Sequence, residues 1–171
     1  NFANILDLVN FKEVQLPEKE IPFISEVIEL LGSESIDIIE LIKPTKITID
    51  NVFSLIQKHE KYEKFYSKLL QEEINFVSSH FFEICEKKMD EIQELSIETL
   101  TSILKSPQLQ LKAEDQLLRV LNELYLNNQK CSILYENVYF RNVSSEAIKE
   151  FICIFDINDI TTSTWMNITG R

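Results

Sequence analysis

Apolar residues recur along most of the chain at spacings of three and four, the period of an α-helix with one buried face. The pattern runs through 62–70 and 74–84, and it returns in the leucines of 117–124. Earlier in the chain it predicts helices at about 21–31 and 34–42, the first with a proline in its opening turn and a glycine after its end. The sequence therefore predicts a mainly α fold.

Three segments, each 48 residues after the last, share one pattern that is typical of a helix start. In each, an apolar residue is followed by Ser or Thr, with an acid two residues later. A hydroxyl at the N-cap accepts a hydrogen bond from an unpaired amide, and the helix dipole favours negative charge in the first turn. The segments are ITIDNVFSLI (47–56), LSIETLTSIL (95–104) and VSSEAIKEFI (143–152), with predicted N-caps at Thr48, Ser96 and Ser144.

The same three segments predict a hydrophobic contact at each helix start. The apolar residue before the cap is expected to pack on the apolar residue five positions later, as a hydrophobic staple. The residues placed against the core in this way are Val52, Leu100 and Ile148.

The 48-residue period has two interpretations. HEAT and armadillo arrays have repeats of similar length, which would make the chain an α-solenoid. However, the residues between the starts show no matching similarity, and shared capping chemistry explains the pattern without a repeat. Matching helix pairs in 47–94 and 95–142 would favour the solenoid.

The connector SPQLQLK (106–112) alternates leucine with glutamine, which predicts an extended segment with Leu109 and Leu111 pointing inward. A helix is expected to begin at Glu114 and to end at Asn127. Further along, the sequence predicts a short helix at about 130–136, an extended VYFR (138–141), the Ser144 helix and a last helix beginning within DINDITTSTW (156–165).

Composition narrows the classes of partner. The 17 Lys and Arg residues against 28 Asp and Glu give a formal charge of −11, which disfavours binding to nucleic acid or to an anionic membrane. With only two glycines, phosphate-binding loops are nearly excluded. No apolar run approaches the length of a membrane span. The three dispersed cysteines suit a reducing compartment, so we expect a cytoplasmic or nuclear protein.

Candidate chemistry is sparse. His59 and His80 are the only histidines, and His80 lies five residues from Cys85, off a common helical face. Acidic residues at 83–94 are interleaved with lysines, which is typical of a solvated helix end. The sequence therefore predicts no enzymatic activity, no cofactor and no metal. An enzyme would need one of the histidines within hydrogen-bonding reach of a cysteine or carboxylate in a pocket.

Four aromatic residues near the C-terminal end allow two interpretations. Tyr135, Tyr139, Phe140 and Trp165 would form either an exposed docking patch or part of the core against the last helix. We expect core packing.

The order of these motifs resembles that of the BTB/POZ–BACK family. ILDLVNFKEVQLPEKEIPFISEVIELLG (5–32) resembles the last third of a BTB/POZ domain, with a helix, a short strand of the form x-Val-x-Leu, a Pro/Glu turn and a helix lined with Leu and Ile. Residues 47–125 resemble a BACK domain. Its motifs are matched by ITIDNV (47–52), NFV (75–77) with HF (80–81), LSIETL (95–100), ILKSPQL (103–109) and KAEDQLL (112–118).

The resemblance implies helical hairpins of a BACK-like bundle following a partial α/β BTB end. The corresponding units are 1–43 for the C-terminal portion of the BTB/POZ-like domain, 44–126 for the BACK-like domain and 127–171 for a helical extension. Val52 stands where the family usually has Cys, and Tyr125 replaces the usual Trp. Residues 127–171 lie outside the family pattern, and no Kelch repeats follow.

Through the family, the expected function is that of a protein–protein interaction adaptor, serving a cullin-type ubiquitin ligase as a substrate adaptor. The partners implied are a cullin scaffold and a second copy, bound through the BTB elements that are missing here. The alternative is a generic α-solenoid binding scaffold without a ubiquitin role.

Overall fold

The described part of the chain folds into helices joined by short connections. The computed structural model describes residues 20–30, 46–61 and 63–170, and these residues contain no strand. The predicted mainly α fold is confirmed. The helices are α1 Ile21–Leu30, α2 Val52–Glu60, α3 Glu63–Ser79, α4 Phe81–Lys87, α5 Met89–Gln93, α6 Ile97–Lys105, α7 Glu114–Asn127, α8 Ser145–Ile154 and α9 Thr162–Thr169.

The first described helix, α1, begins and ends within one residue of the predicted 21–31. Its Ile21 and Ile24 are buried. The other expectations for 1–43 lie outside the described residues: the first helix, the short strand and the Pro/Glu turn of the BTB/POZ-like portion, and the helix at 34–42.

Helices α2 and α3 pack on each other along their lengths. Val52 and Ile56 of α2 are fully buried, as is Val77 of α3. Tyr66 has non-helical dihedral angles (φ −112°, ψ 16°), so α3 bends near its start. The bend places a buried tyrosine ring against the end of α2, where it stacks on the ring of His59 with 4.7 Å between centroids.

The connector between α6 and α7 is pinned to α3. The Gln110 amide donates to the Ser78 carbonyl oxygen (3.0 Å), and the Ser78 hydroxyl lies within hydrogen-bonding distance of the Ile103 carbonyl oxygen in α6 (3.0 Å). Leu109 and Leu111 are half-buried against the core, which confirms their predicted inward direction. The predicted extended segment is wrong at its start, because the Leu109 amide donates to the Ser106 carbonyl oxygen (3.1 Å) and closes a turn at 107–108.

One cluster of buried side chains extends from Val52 to Phe151. Helix α7 contributes Leu117, Leu118 and Leu121, each at most 1% exposed. The cluster continues past Asn127 into a 3-10 segment, Gln129–Asn137, which packs on α7. The same core is therefore shared by residues on both sides of the predicted 126/127 boundary.

Two of the three predicted N-caps lie where the pattern places them. The Ser96 Oγ accepts a hydrogen bond from the Thr99 amide (3.1 Å), and the Ser144 Oγ accepts one from the Ala147 amide (3.2 Å). Ser96 also donates to Glu60 Oε1 (2.7 Å), which ties the start of α6 to the end of α2.

The prediction that Thr48 is an N-cap is wrong. Helix α2 begins at Val52 with Asn51 in the cap position, and the Asn51 side chain makes no cap hydrogen bond to the helix. Instead, Asn51 Oδ1 accepts from the Thr48 amide (2.8 Å), and the Val52 amide donates to the Thr48 carbonyl oxygen (3.0 Å). Asn51 thus accepts the Thr48 amide in the turn that precedes α2, while the Thr48 hydroxyl makes no cap hydrogen bond.

Two details of the tail also differ from the prediction. The short helix is the 3-10 segment Gln129–Asn137, started by a hydrogen bond from the Lys130 amide to Asn128 Oδ1 (3.1 Å). VYFR is not extended throughout, because a 3-10 turn begins at Phe140. The Asn142 amide donates to the Tyr139 carbonyl oxygen (2.8 Å), and the turn carries the Phe140 ring into the core.

The helices that follow the first two predicted starts are paired differently. Helices α2 and α3 form a packed pair, whereas α6 packs mainly on α3 and the 3-10 segment, and α7 packs on that segment and α8. The two segments 47–94 and 95–142 therefore do not present the matching helix pairs of a solenoid.

Candidate docking groove

An apolar groove of about 300 Å³ lies between α8 and α9. We call it the C-terminal groove. Its most buried lining residues are Phe140 and Phe151, and the half-buried Ile148 and Phe155 stand beside them. The Phe151 and Phe155 rings stack with their centroids 4.8 Å apart. The groove is thus lined by an aromatic cluster that is continuous with the core.

The outer part of the C-terminal groove is exposed to solvent. Ile152 of α8 is 68% exposed, Ile157 of the following 3-10 turn is 64% exposed, and Trp165 of α9 is 52% exposed. These three side chains line the groove on different elements, which gives a continuous apolar surface. Contiguous apolar surface of this kind marks sites where proteins or ligands bind.

The 3-10 turn Ile157–Asp159 between α8 and α9 is fixed to α7. The Tyr125 hydroxyl of α7 donates to Asp159 Oδ2 (2.6 Å) and accepts from the Asp156 amide (3.2 Å). Burial, followed by the hydrogen bond to Asp159, raises the pKa of Tyr125 above its ordinary value. The phenol therefore stays protonated at neutral pH and holds both acidic residues in place.

The start of α9 is fixed by a second set of hydrogen bonds. The Thr161 Oγ1 accepts from the Thr164 amide (3.1 Å) and donates to Glu136 Oε1 (2.7 Å). The Asn167 side-chain amide donates to the Glu136 carbonyl oxygen (2.9 Å). The 3-10 turn and α9 are thereby attached to α7 and to the segment Gln129–Asn137.

The predicted structural residues do not converge on one site. Val52 and Leu100 are buried in the core, at 0% and 3% exposure, and Ser96 caps α6 next to the end of α2. Only the third start bears on the groove: Ser144 caps α8, and Ile148 lines the groove one turn later. Thr48 lies in the turn before α2.

The four aromatic residues at 135–165 divide between the two interpretations. Tyr135 and Phe140 are buried, at 0% and 2% exposure, as expected for core packing. The expectation of core packing is wrong for Tyr139 and Trp165, which are 69% and 52% exposed. Helix α9 places Thr164 on its buried side instead, so Trp165 turns toward the outer part of the groove.

A buried histidine–carboxyl pair was missed at the level of sequence. His59 Nδ1 lies 2.7 Å from Glu73 Oε1, and the two side chains are only 5% and 3% exposed. Burial is the main cause that raises the pKa of Glu73 to about 8; the charge of Glu72 adds to it and that of Lys58 opposes it. The sequence contained the signal. His59 lies three residues after Ile56 in the apolar stripe of α2, and Glu73 lies between Leu70 and Val77 in the apolar stripe of α3.

His59 is therefore within hydrogen-bonding distance of a carboxylate, as an enzyme would need, but both side chains are buried in the interior. His59 does not line the C-terminal groove or the two neighbouring cavities around Tyr139. His80 lies at the end of α3, with Nδ1 2.9 Å from the Phe76 carbonyl oxygen and its ring stacked on that of Phe76. Both histidines have structural surroundings.

The acidic stretch at 83–94 pairs with its own lysines. Lys87 Nζ lies 2.6 Å from Glu83 Oε1, and Lys88 Nζ lies 2.9 Å from Glu91 Oε1, at the surface. Within the described ranges, no group of three or more His, Cys, Asp or Glu side chains is placed to hold a metal ion. In the same ranges, every helix is too short or too polar to cross a bilayer.

Comparison with known proteins adds no relative: no protein-family model, no curated protein and no solved structure matches the chain.

Proposed function

We propose that the chain is a protein–protein interaction module, and that it serves as an adaptor of the BTB/POZ–BACK type. The observation that carries the proposal is the C-terminal groove, in which Ile152, Ile157 and Trp165 remain exposed on an apolar surface. Leaving these three side chains in water is unfavourable, and a protein partner that covers them removes that penalty. An interaction surface is the role that this arrangement serves best.

The resemblance of 5–32 and 47–125 to BTB/POZ and BACK domains supports the adaptor role. In that family the module joins a cullin scaffold to a substrate. The proposal therefore assigns two partners to the whole protein, a cullin and a protein to be recruited. The acidic surface, with a formal charge of −11, favours a protein partner over nucleic acid or an anionic membrane. The free thiols of Cys85, Cys131 and Cys153 suit the cytoplasm or nucleus.

The adaptor role is tested by direct binding. The whole protein that carries this segment is immobilised, and a purified cullin N-terminal domain is titrated over it by biolayer interferometry. Light scattering on the same preparation measures self-association. We expect either a saturable cullin complex or a stable homodimer. If both measurements give only the free monomer, the adaptor function is refuted.

The alternative is a generic α-solenoid scaffold without a ubiquitin role. It is the weaker proposal, because a solenoid needs equivalent helix pairs and α6–α7 is not paired as α2–α3 is.

A further inference from the structure

The C-terminal groove has features that define the chemistry of its partner. We propose that it binds an amphipathic helix of another protein, with an apolar face of Leu, Ile or Phe and flanking Lys or Arg residues. The inference rests on the proposed function as an interaction module and names the partner of the same site. It does not depend on the cullin.

The extent of the apolar surface favours a polypeptide over a small ligand. A cavity of about 300 Å³ lies at the lower end of small-ligand sites. A ligand that filled it would still leave the outer parts of Ile152, Ile157 and Trp165 in water, since each of these side chains is more than half exposed. A longer apolar partner covers the groove and its edge together.

The elements that form the groove suit a helix. One wall is α8, which supplies Ile148 and Ile152 at adjacent turns, and the other is α9, which supplies Trp165 and Ile168 at a spacing of three. An amphipathic helix lays anchors spaced three and four apart into such a surface, between the ridges of the two helices.

The charges beside the groove select the flanks of the partner. The connection 156–160, whose Ile157 and Ile160 line the groove, carries two carboxylates, Asp156 and Asp159, and no Lys or Arg. Glu146 and Glu150 lie on the face of α8 opposite Ile148 and Ile152, and Glu150 pairs with Arg119 at the surface, so they add only to the overall acidity of the chain. These two carboxylates of the connection and the formal charge of −11 favour a basic partner over a second copy of this acidic chain.

Trp165 makes the test direct, because it is the only tryptophan and lies in the groove. The probe is a synthetic amphipathic peptide of about 16 residues, or about four helical turns, with leucines on one face and lysines beside them. It contains no aromatic residue, so the emission comes from the protein. On titration we expect a saturable blue shift of the Trp165 emission, since the bound peptide excludes water from the ring.

Two peptide controls separate docking from general stickiness. A scrambled peptide of the same composition lacks the apolar face, and a second peptide has glutamates in place of the lysines. We expect both to bind at least about tenfold more weakly than the basic amphipathic peptide. Equal binding of the scrambled peptide would refute docking of an amphipathic helix. Equal binding of the acidic peptide would refute the preference for a basic partner.

Two substitutions locate the binding on the groove. Ile152→Glu and Ile157→Glu each place a charge on an exposed groove side chain, so the fold is expected to be retained, with circular dichroism as the check. Each substitution should weaken binding of the basic amphipathic peptide at least about tenfold. The matched control is Leu126→Glu, at a 66% exposed leucine that does not line the groove, and it should leave the affinity unchanged.

Other occupants would be recognised in the same experiment. If a medium-chain fatty acid shifts the emission at micromolar concentration and the peptide does not, the groove is a small-ligand site and the proposal is wrong. If the shift instead follows protein concentration alone, with a doubled mass in light scattering that Ile152→Glu abolishes, the occupant is a second copy. Peptide binding with neither cullin binding nor a homodimer would refute the adaptor function and leave the docking helix standing.

Discussion

At the scale of single residues, the most unusual arrangement is the contact between His59 and Glu73. Two ionisable side chains are packed in the interior, 2.7 Å apart, with the Tyr66 ring stacked on the imidazole. Among the described residues, the second Glu73 oxygen, Oε2, is buried without a hydrogen-bond partner. A charged carboxylate is unfavourable in such surroundings, so the neutral acid is favoured and can donate its proton to His59 Nδ1.

The stability of the protein should therefore depend on pH through Glu73. Its pKa rises from the ordinary 4.5 to about 8 on folding, so the native state holds this proton more tightly than the unfolded chain. The contribution to stability is fully present below pH 4.5 and is lost as the pH rises through about 8. We expect the Tm of the natural protein to fall between about pH 5 and about pH 9, and the Tm of Glu73→Gln to fall less steeply over the same range. Thermal unfolding followed by circular dichroism measures both.

The matched control for this prediction is Glu94→Gln, at an exposed glutamate, which should keep the slope of the natural protein. An unchanged slope in Glu73→Gln would show that the buried carboxyl does not titrate in this range.

At the scale of elements, the chain shows how side chains set the beginning of a helix. Ser96 and Ser144 are each followed directly by a helix, and each hydroxyl accepts a hydrogen bond from the backbone amide three residues later. Thr48 has the same neighbours in sequence, but Asn51 accepts the Thr48 amide and α2 begins later. The pattern of Ser/Thr followed by an acid therefore does not by itself fix the first residue of a helix.

Cap substitutions should separate the two cases. Ser144→Ala removes the hydroxyl that accepts the Ala147 amide, so we expect a loss of about 1 kcal/mol in the free energy of unfolding. Thr48→Ala should lose less than about 0.5 kcal/mol, because the hydroxyl does not cap α2. Urea unfolding of both variants measures the difference. Equal losses would mean that Thr48 caps its helix in solution.

At the scale of the whole molecule, the shared core joins the C-terminal groove to helices α2–α7. Leu100 of α6 and Phe151 of α8 belong to one cluster, although they lie on opposite sides of the predicted 126/127 boundary. A cluster of this kind favours one cooperative unfolding transition.

Leu100→Ala should lower the free energy of unfolding of the whole molecule. The leucine is 3% exposed, so we expect a loss of about 2–5 kcal/mol. Trp165 fluorescence and circular dichroism should report the same loss, because the groove depends on the shared core. The control is Leu126→Ala, the same substitution at a leucine that is 66% exposed, with a loss below about 0.5 kcal/mol. If Leu100→Ala leaves the unfolding transition followed by Trp165 fluorescence unchanged, residues 127–171 unfold separately.

The sequence alone determined the features that depend on neighbours along the chain. Helical periodicity and Glu114 at a helix start defined α7, and hydroxyl caps defined the starts of α6 and α8, because these interactions span only three or four residues. The inward direction of Leu109 and Leu111 followed from their alternation with glutamine.

Only the tertiary structure decided which surfaces meet. The pairing of His59 with Glu73 depends on how α2 and α3 pack, and the C-terminal groove depends on side chains from α8, α9 and two 3-10 turns. The same reason separates two aromatic residues: Tyr135 is buried against Phe151 and Phe155, whereas α9 turns Thr164 inward and leaves Trp165 exposed. Such contacts join residues far apart in sequence, so no local pattern specifies them.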